Sequence, residues 1–177
     1  MAIIHSKQKY KKAFTLVEII FVIVIIGVLA AVAVPKFTGL SSNAKIQAEM
    51  ATAATVQSAL DDIHATWIIS EGDFSWGNNQ TVNCSDDDTS NDGEFDCDAG
   101  YPLHLGDCSG GNPFEYLLKN PGQLKATWSC SDNEHYYGPA SNTNSGVSNN
   151  DDTKPDSNDH WDYNNSAEAG TFTLIEG

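Results

Sequence analysis

Residues 14–35 read FTLVEIIFVIVIIGVLAAVAVP, and they decide the fold of the N-terminal part of this chain. From Phe14 to Val34 the only charged side chain is the carboxylate of Glu18. As an α-helix this stretch would extend over about 30 Å, which is the thickness of the hydrocarbon core of a bilayer. The sequence therefore predicts a helix over residues 14–34 that can span a membrane once.

The charges on the two sides of the apolar stretch have opposite signs. Lysines crowd residues 7–12, whereas all 24 acidic residues lie at or beyond Glu18, and the 177-residue chain has a net charge of −15. Because lysines collect on the cytoplasmic side of membrane helices, we expect a cytoplasmic N-terminus and an exported acidic body. Such a body repels phosphate groups, which argues against nucleic acid as a partner but is compatible with divalent cations.

Glu18 is the unusual residue of the apolar stretch. A carboxylate inside a membrane helix costs on the order of 2.5–3.5 kcal/mol and generally marks a function. A static anchor leaves it unexplained, as does an ordinary signal peptide cut near residues 31–33. If a peptidase cuts after Ala13, however, the new ammonium of Phe14 lies one helical turn from Glu18 of the same chain. The Glu18 carboxylate could equally pair with the Phe14 ammonium of a neighbouring copy. This pairing favours cleavage between Ala13 and Phe14.

The run KKAFTLVEIIFVIVIIGVLAAVAVPKF resembles the N-terminal signal of type IV pilins and type II secretion pseudopilins. The matching features are a basic leader, an acid fifth from the cleavage site, Gly27 within the span and Pro35 after it. The resemblance implies that prepilin peptidase removes residues 1–13 and methylates Phe14, and that Glu18 acts in assembly. The family usually has glycine before the cut. Ala13 is also small, so slower processing is the largest effect we expect.

The resemblance also implies where the protein acts. A prepilin is held in the bacterial inner membrane, with its N-terminus in the cytoplasm, until an assembly platform there packs its apolar helices into a helical filament. A pilin filament on the cell surface serves adhesion or motility, and a pseudopilin filament in the periplasm drives protein export; both uses remain open. The rival hypothesis is a secreted, calcium-stabilised protein with an ordinary signal peptide. No grouping typical of an enzyme is visible, so we expect no catalytic residues.

The segment from residue 35 to residue 69 continues the helical pattern. Pro35 favours a kink, and apolar side chains then recur every three or four residues, which is typical of one buried helix face. The stripe consists of Ile46, Met50, Ala53, Val56, Leu60, Ile63 and Trp67. We expect it to pack on a sheet. His64 lies beside it, but no second convergent group accompanies any histidine, so no histidine is predicted to bind a metal.

Residues 70–177 form the predicted acidic head. GGNPFEYLLKNPG, residues 110–122, indicates a short helix with Asn112 as N-cap, and QLKATWSC, residues 123–130, indicates a strand. TFTLIE, residues 171–176, predicts a second strand, with Phe172 and Leu174 facing inward. Residues 140–170 carry few apolar side chains and are predicted to form a long surface loop. The expected fold class is α+β, type IV pilin-like, with a long N-terminal helix on a small antiparallel sheet.

All four cysteines lie in the head, where an oxidising compartment would favour two disulfides. Three pairings of Cys84, Cys97, Cys108 and Cys130 are possible. The sequential pairing, Cys84 with Cys97 and Cys108 with Cys130, closes the shortest loops and is favoured for that reason. A loop of this size is worth about 3 kcal/mol.

The acidic stretch DDDTSNDGEFDCDAG, residues 86–100, carries the one plausible cofactor signal, which is for calcium. It follows part of the calcium-loop template, including a glycine at the sharp turn. The candidate ligands are Asp88, Ser90, Asp92, Glu94 and Asp96. Ala99 stands where the template requires a bidentate glutamate, so a solvated acidic loop remains the alternative. Major pseudopilins are similar in having a calcium loop in the head.

Overall fold

The structure is a computed structural model that describes residues 14–70, 73–77, 80–84, 95–111, 113–119, 121–131, 134–149, 151–164 and 170–177. One long helix precedes a series of short strands, as expected for the α+β class. The elements are α1 (Leu16–Ser70), β1 (Asp73–Trp76), β2 (Gln80–Asn83), β3 (Phe95–Asp96), β4 (Tyr101–Pro102), a 3₁₀ helix (Pro121–Ala126), β5 (Ser129–Ser131), β6 (His135–Tyr137), β7 (His160–Asn164) and β8 (Thr171–Ile175). Helix α1 continues through Pro35 without a break.

In the part of the chain that the structure describes, the strands form three antiparallel sheets. Strands β1 and β2 make a hairpin, β3 pairs with β4, and the remaining four strands form one sheet in the order β5-β6-β7-β8. The described residues up to Leu40 and those from Ser41 onward form two separate compact units. The second unit, which joins the part of α1 from Ser41 onward to the strands, is called the head from here on, and its core lies between that part of α1 and the sheets.

Most of the predicted stripe on α1 is buried in the head. Val56 and Leu60 are fully buried and pack in one cluster with the aromatic side chains of the sheets. The other members of the stripe that are buried or partly buried are Ile46, Ala53, Ile63 and Trp67. Met50 was assigned wrongly, because its side chain is 37% exposed and the adjacent residue, Glu49, is the one that is fully buried.

Glu49 is buried because three N–H groups of the head converge on its carboxylate. Its Oε2 accepts hydrogen bonds from the backbone N–H groups of Ala140 (2.6 Å) and Ser141 (3.0 Å), and its Oε1 accepts one from the indole N–H of Trp161 (2.8 Å). Gly138 makes this approach possible, since a Cβ atom there would lie 2.4 Å from the Glu49 carboxyl group. A buried carboxylate is stable only with such donors.

The predicted helix near residues 110–122 and the strand that follows it were placed wrongly. Asn112 lies outside the described residues, and residues 113–119 form turns rather than a helix. The N–H groups of Tyr116 and Leu117 both donate to the carbonyl of Leu105, in competition with the hydrogen bonds of a helix. The 3₁₀ helix Pro121–Ala126 occupies the first half of the expected strand, whose last two residues lie in β5. Proline is at the first position of this helix, where the missing N–H costs no hydrogen bond.

The prediction of a surface loop over residues 140–170 was wrong in part, because it contains β7, an inner strand of the four-stranded sheet. Trp161 and Tyr163 are buried, and so are Asp156 and Asp159 in the turn before the strand. The carboxylate of Asp159 accepts a hydrogen bond from the backbone N–H of Asp156, whose own carboxylate accepts one from Asn149. Polar side chains thus satisfy the backbone where apolar ones are scarce.

The disulfides follow the sequential pairing favoured by the sequence. Cys84 is bonded to Cys97, with Cα atoms 5.6 Å apart, and Cys108 is bonded to Cys130, with Cα atoms 5.3 Å apart. The first bond joins the end of β2 to the segment after β3, and the second ties the turn near residue 108 to β5. Strand β8 also agrees with its prediction, since Phe172 is buried and Leu174 partly so.

Candidate functional site

The start of α1 is the segment to which the sequence assigns a function. Thr15 precedes the helix and caps it, since its Oγ1 accepts a hydrogen bond from the backbone N–H of Glu18 at 3.2 Å. The carbonyl of Thr15 accepts the first intrahelical bond, from Ile19 at 3.3 Å. Threonine followed three residues later by glutamate is the spacing of a capping box, so this role could have been predicted from the sequence. Glu18 also lies in the first turn, where an acid complements the helix dipole.

Phe14 lies just before the start of α1. Its side chain is 77% exposed, and α1 begins two residues later, at Leu16. The helical spacing assumed for Phe14 and Glu18 is therefore absent while the Phe14 nitrogen is still in a peptide bond. Ala13 lies outside the described residues. Cleavage after Ala13, methylation of Phe14 and the pairing of its amine with Glu18 remain predictions.

The surface of α1 near its N-terminus is almost entirely apolar. Among residues 14–37, every side chain except that of Ala33 is exposed. Of the part of the chain that the structure describes, α1 is the one helix long and apolar enough to cross a membrane. A soluble monomer rarely exposes so large an apolar patch, and patches of this kind are typical of surfaces that bind membranes or other proteins. Glu18 is the one acid on this surface.

Comparison with known proteins agrees with these features. A family model described as the prokaryotic N-terminal methylation motif matches residues 8–34. The chain carries this motif. It includes the predicted cleavage site, Glu18 and the apolar part of α1. The resemblance stated from the sequence is thus confirmed for the N-terminal region.

A curated relative matches the same region. The chain is 54% identical over 48 residues to the type IV narrow pilus major component PilA5 of Thermus thermophilus. The match covers 27% of this chain and 41% of the relative, so the chain spans less than half of the relative's length. No solved structure matches the chain. The similarity therefore concerns the N-terminal region of the chain.

The predicted calcium ligands fall largely beyond the described residues. Asp88, Ser90, Asp92 and Glu94 are outside them, and Asp96 is the one candidate that can be placed. Asp96 ends β3, and its Oδ1 accepts hydrogen bonds from the backbone N–H groups of Asp98 (2.9 Å) and Ala99 (3.0 Å). One oxygen of Asp96 is thus already used in a local turn, and calcium binding stays a prediction.

Proposed function

We propose that the chain is a structural subunit of a type IV pilus-like filament, processed by prepilin peptidase before Phe14 and polymerised through α1. The main support for the proposal is the methylation motif at residues 8–34, whose residues 16–34 lie on an exposed apolar helix with a single acid. In this proposal the bilayer covers the helix of the prepilin, and the helices of neighbouring subunits cover it in the filament. Its partners are other copies, prepilin peptidase and an assembly platform in the inner membrane.

The role proposed for Glu18 follows from the electrostatics of a dry helix bundle. An uncompensated carboxylate surrounded by apolar helices is costly, and an ammonium group within about 4 Å removes much of that cost. Cleavage before Phe14 creates such a group at the same end of the helix. If it belongs to the neighbouring subunit, the pair forms at only one axial offset between the helices, which would fix the register of the filament.

Replacing the charge of Glu18 tests the proposal. We expect Glu18→Gln to be cleaved and methylated normally but to enter filaments at least about tenfold less, because losing the buried pair costs more than about 1.4 kcal/mol. Mass spectrometry of the N-terminal peptide reports processing, and the protein in sheared filaments reports assembly. Glu115→Gln makes the same chemical change in the head and serves as the matched control.

Three results would contradict the proposal. Wild-type filament yield from Glu18→Gln would remove the assembly role. A mature N-terminus near residue 34 would indicate an ordinary secreted protein, and an N-terminus at Met1 would indicate a static anchor. The similarity to a pilus component favours a surface filament over the alternative, a type II secretion pseudopilin, and electron microscopy of intact cells distinguishes the two by where the filament lies.

A further inference from the structure

Two histidines and an aspartate meet on the outer face of the four-stranded sheet. His135 on β6 is the direct cross-strand partner of Asp162 on β7, and His160 precedes Asp162 by two residues on the same face of β7. The alternate residues Tyr136 and Trp161 are buried on the opposite face, in the core. The strand pairing thus collects three side chains that can bind a metal, from positions up to 27 residues apart.

The distances within this group suit one small cation. The Oδ1 atom of Asp162 lies 3.2 Å from Nε2 of His160 and 3.7 Å from Nε2 of His135. One ligand atom from each residue lies within 4.8 Å of the other two. Ligands bonded to a tetrahedral zinc ion at about 2.1 Å are about 3.4 Å from one another, so small side-chain rotations would bring all three into place.

The Asp162 carboxylate gives a second, independent indication. Its Oδ1 atom is buried, yet it accepts no hydrogen bond from any residue that the structure describes, even though two imidazole rings lie beside it. Simple His–Asp pairs would direct an N–H group at this oxygen, and a buried acceptor without a donor is costly. A cation between the oxygen and the two imidazole nitrogens would remove that cost.

We propose that His135, His160 and Asp162 bind a divalent late transition-metal ion, with Zn²⁺ as the representative case. Imidazole nitrogen with one carboxylate is a donor set for zinc, copper, nickel or cobalt, whereas calcium and magnesium take oxygen ligands. The three side chains are 22–38% exposed, so water can complete the coordination shell. The ion would clip β6 to β7 and stabilise the head, whether or not the chain assembles into filaments.

The test measures Zn²⁺ binding to the metal-free full-length chain in detergent. The protein carries no histidine tag and has the substitution His5→Ala in the leader, so that neither a tag nor His5 can bind Zn²⁺. Calorimetry should show one Zn²⁺ per chain, and His135→Gln, His160→Gln and Asp162→Asn should each weaken binding at least about tenfold, since even losing a group that only orients a ligand costs that much. His64→Gln is the matched control, because His64 stacks on Tyr101 and is not a member of the three-residue cluster. It should bind Zn²⁺ like the parent protein.

A second set of measurements, on the parent protein, tests the proposal even if a variant fails to fold. X-ray absorption of the zinc-loaded parent protein should show two imidazole ligands and only nitrogen and oxygen donors, and Zn²⁺ should raise its melting temperature. The melting temperature of each metal-free variant shows whether the variant is folded, so a loss of Zn²⁺ binding can be distinguished from a loss of folding. Absence of stoichiometric Zn²⁺ binding, equal affinity in a folded His160→Gln protein, or an imidazole count other than two would overturn the proposal.

Discussion

At the scale of single residues, Glu49 links α1 by hydrogen bonds to the long segment before β7 and to β7 itself. Its carboxylate only accepts hydrogen bonds, and the three groups that face it, on Ala140, Ser141 and Trp161, only donate. An amide cannot serve all three, because its NH₂ group is also a donor. The site thus selects a carboxylate over a side chain of the same size and shape.

We therefore expect Glu49→Gln to lower the free energy of unfolding by about 1–3 kcal/mol, since at least one buried donor would lose its acceptor. Met50→Ala is the control. Its exposed side chain predicts a change of about 0.5 kcal/mol, whereas a buried methionine would lose about 2–5 kcal/mol. Urea unfolding of the chain in detergent, followed by tryptophan fluorescence, measures both. Equal losses in the two variants would contradict this assignment of the buried face.

At the scale of elements, Tyr163 joins β7 to the small β3–β4 sheet. Its hydroxyl donates a hydrogen bond to the carbonyl of Pro102 at 2.6 Å, and burial raises the pKa of Tyr163 well above its usual value. The folded protein keeps this phenol protonated, while the unfolded chain ionises it near pH 10. The unfolded state then binds fewer protons, so this contribution to stability is complete below about pH 10 and is lost above it.

Tyr163→Phe should lower the free energy of unfolding by about 1–2 kcal/mol at neutral pH, because the buried carbonyl of Pro102 loses its donor. The variant should also lose part of the decline in stability that the parent protein shows from about pH 10 upward. Urea unfolding across this pH range measures both effects. Tyr137→Phe, on the neighbouring strand β6, is the control. The same alkaline decline in Tyr163→Phe and in the parent protein would show that another group titrates.

At the scale of the whole molecule, the two disulfides limit how far the unfolded head can expand. The Cys108–Cys130 bond has a sequence separation of 22 residues and the Cys84–Cys97 bond one of 13. The chain-entropy relation gives about 3 kcal/mol for each. Replacing both cysteines of either pair with alanine should lower the free energy of unfolding by this amount. If the two loops are independent, replacing all four cysteines with alanine should lower the free energy of unfolding by the sum of the two losses. A loss below about 1 kcal/mol in urea unfolding would show that the unfolded chain is already compact.

The N-terminal segment could be predicted from the sequence because its signals are local. Hydrophobicity over 21 residues, the lysines before it and the single acid Glu18 specify an exposed apolar helix without reference to any distant residue. Helical periodicity likewise identified most of the buried face of α1. The T-x-x-E spacing of the Thr15 cap was equally local and was overlooked.

Only the tertiary structure decided which face of α1 accepts a charge and which polar segment becomes a strand. Glu49 is buried because donors about 90 and 112 residues away converge on it, and no local pattern contains that information. Strand β7 is short and flanked by polar residues, so it forms through pairing on both edges and through contacts of Trp161 and Tyr163 with the core. The same pairing places His160 and Asp162 beside His135. Local propensity determined the helix, whereas contacts between distant residues determined the head.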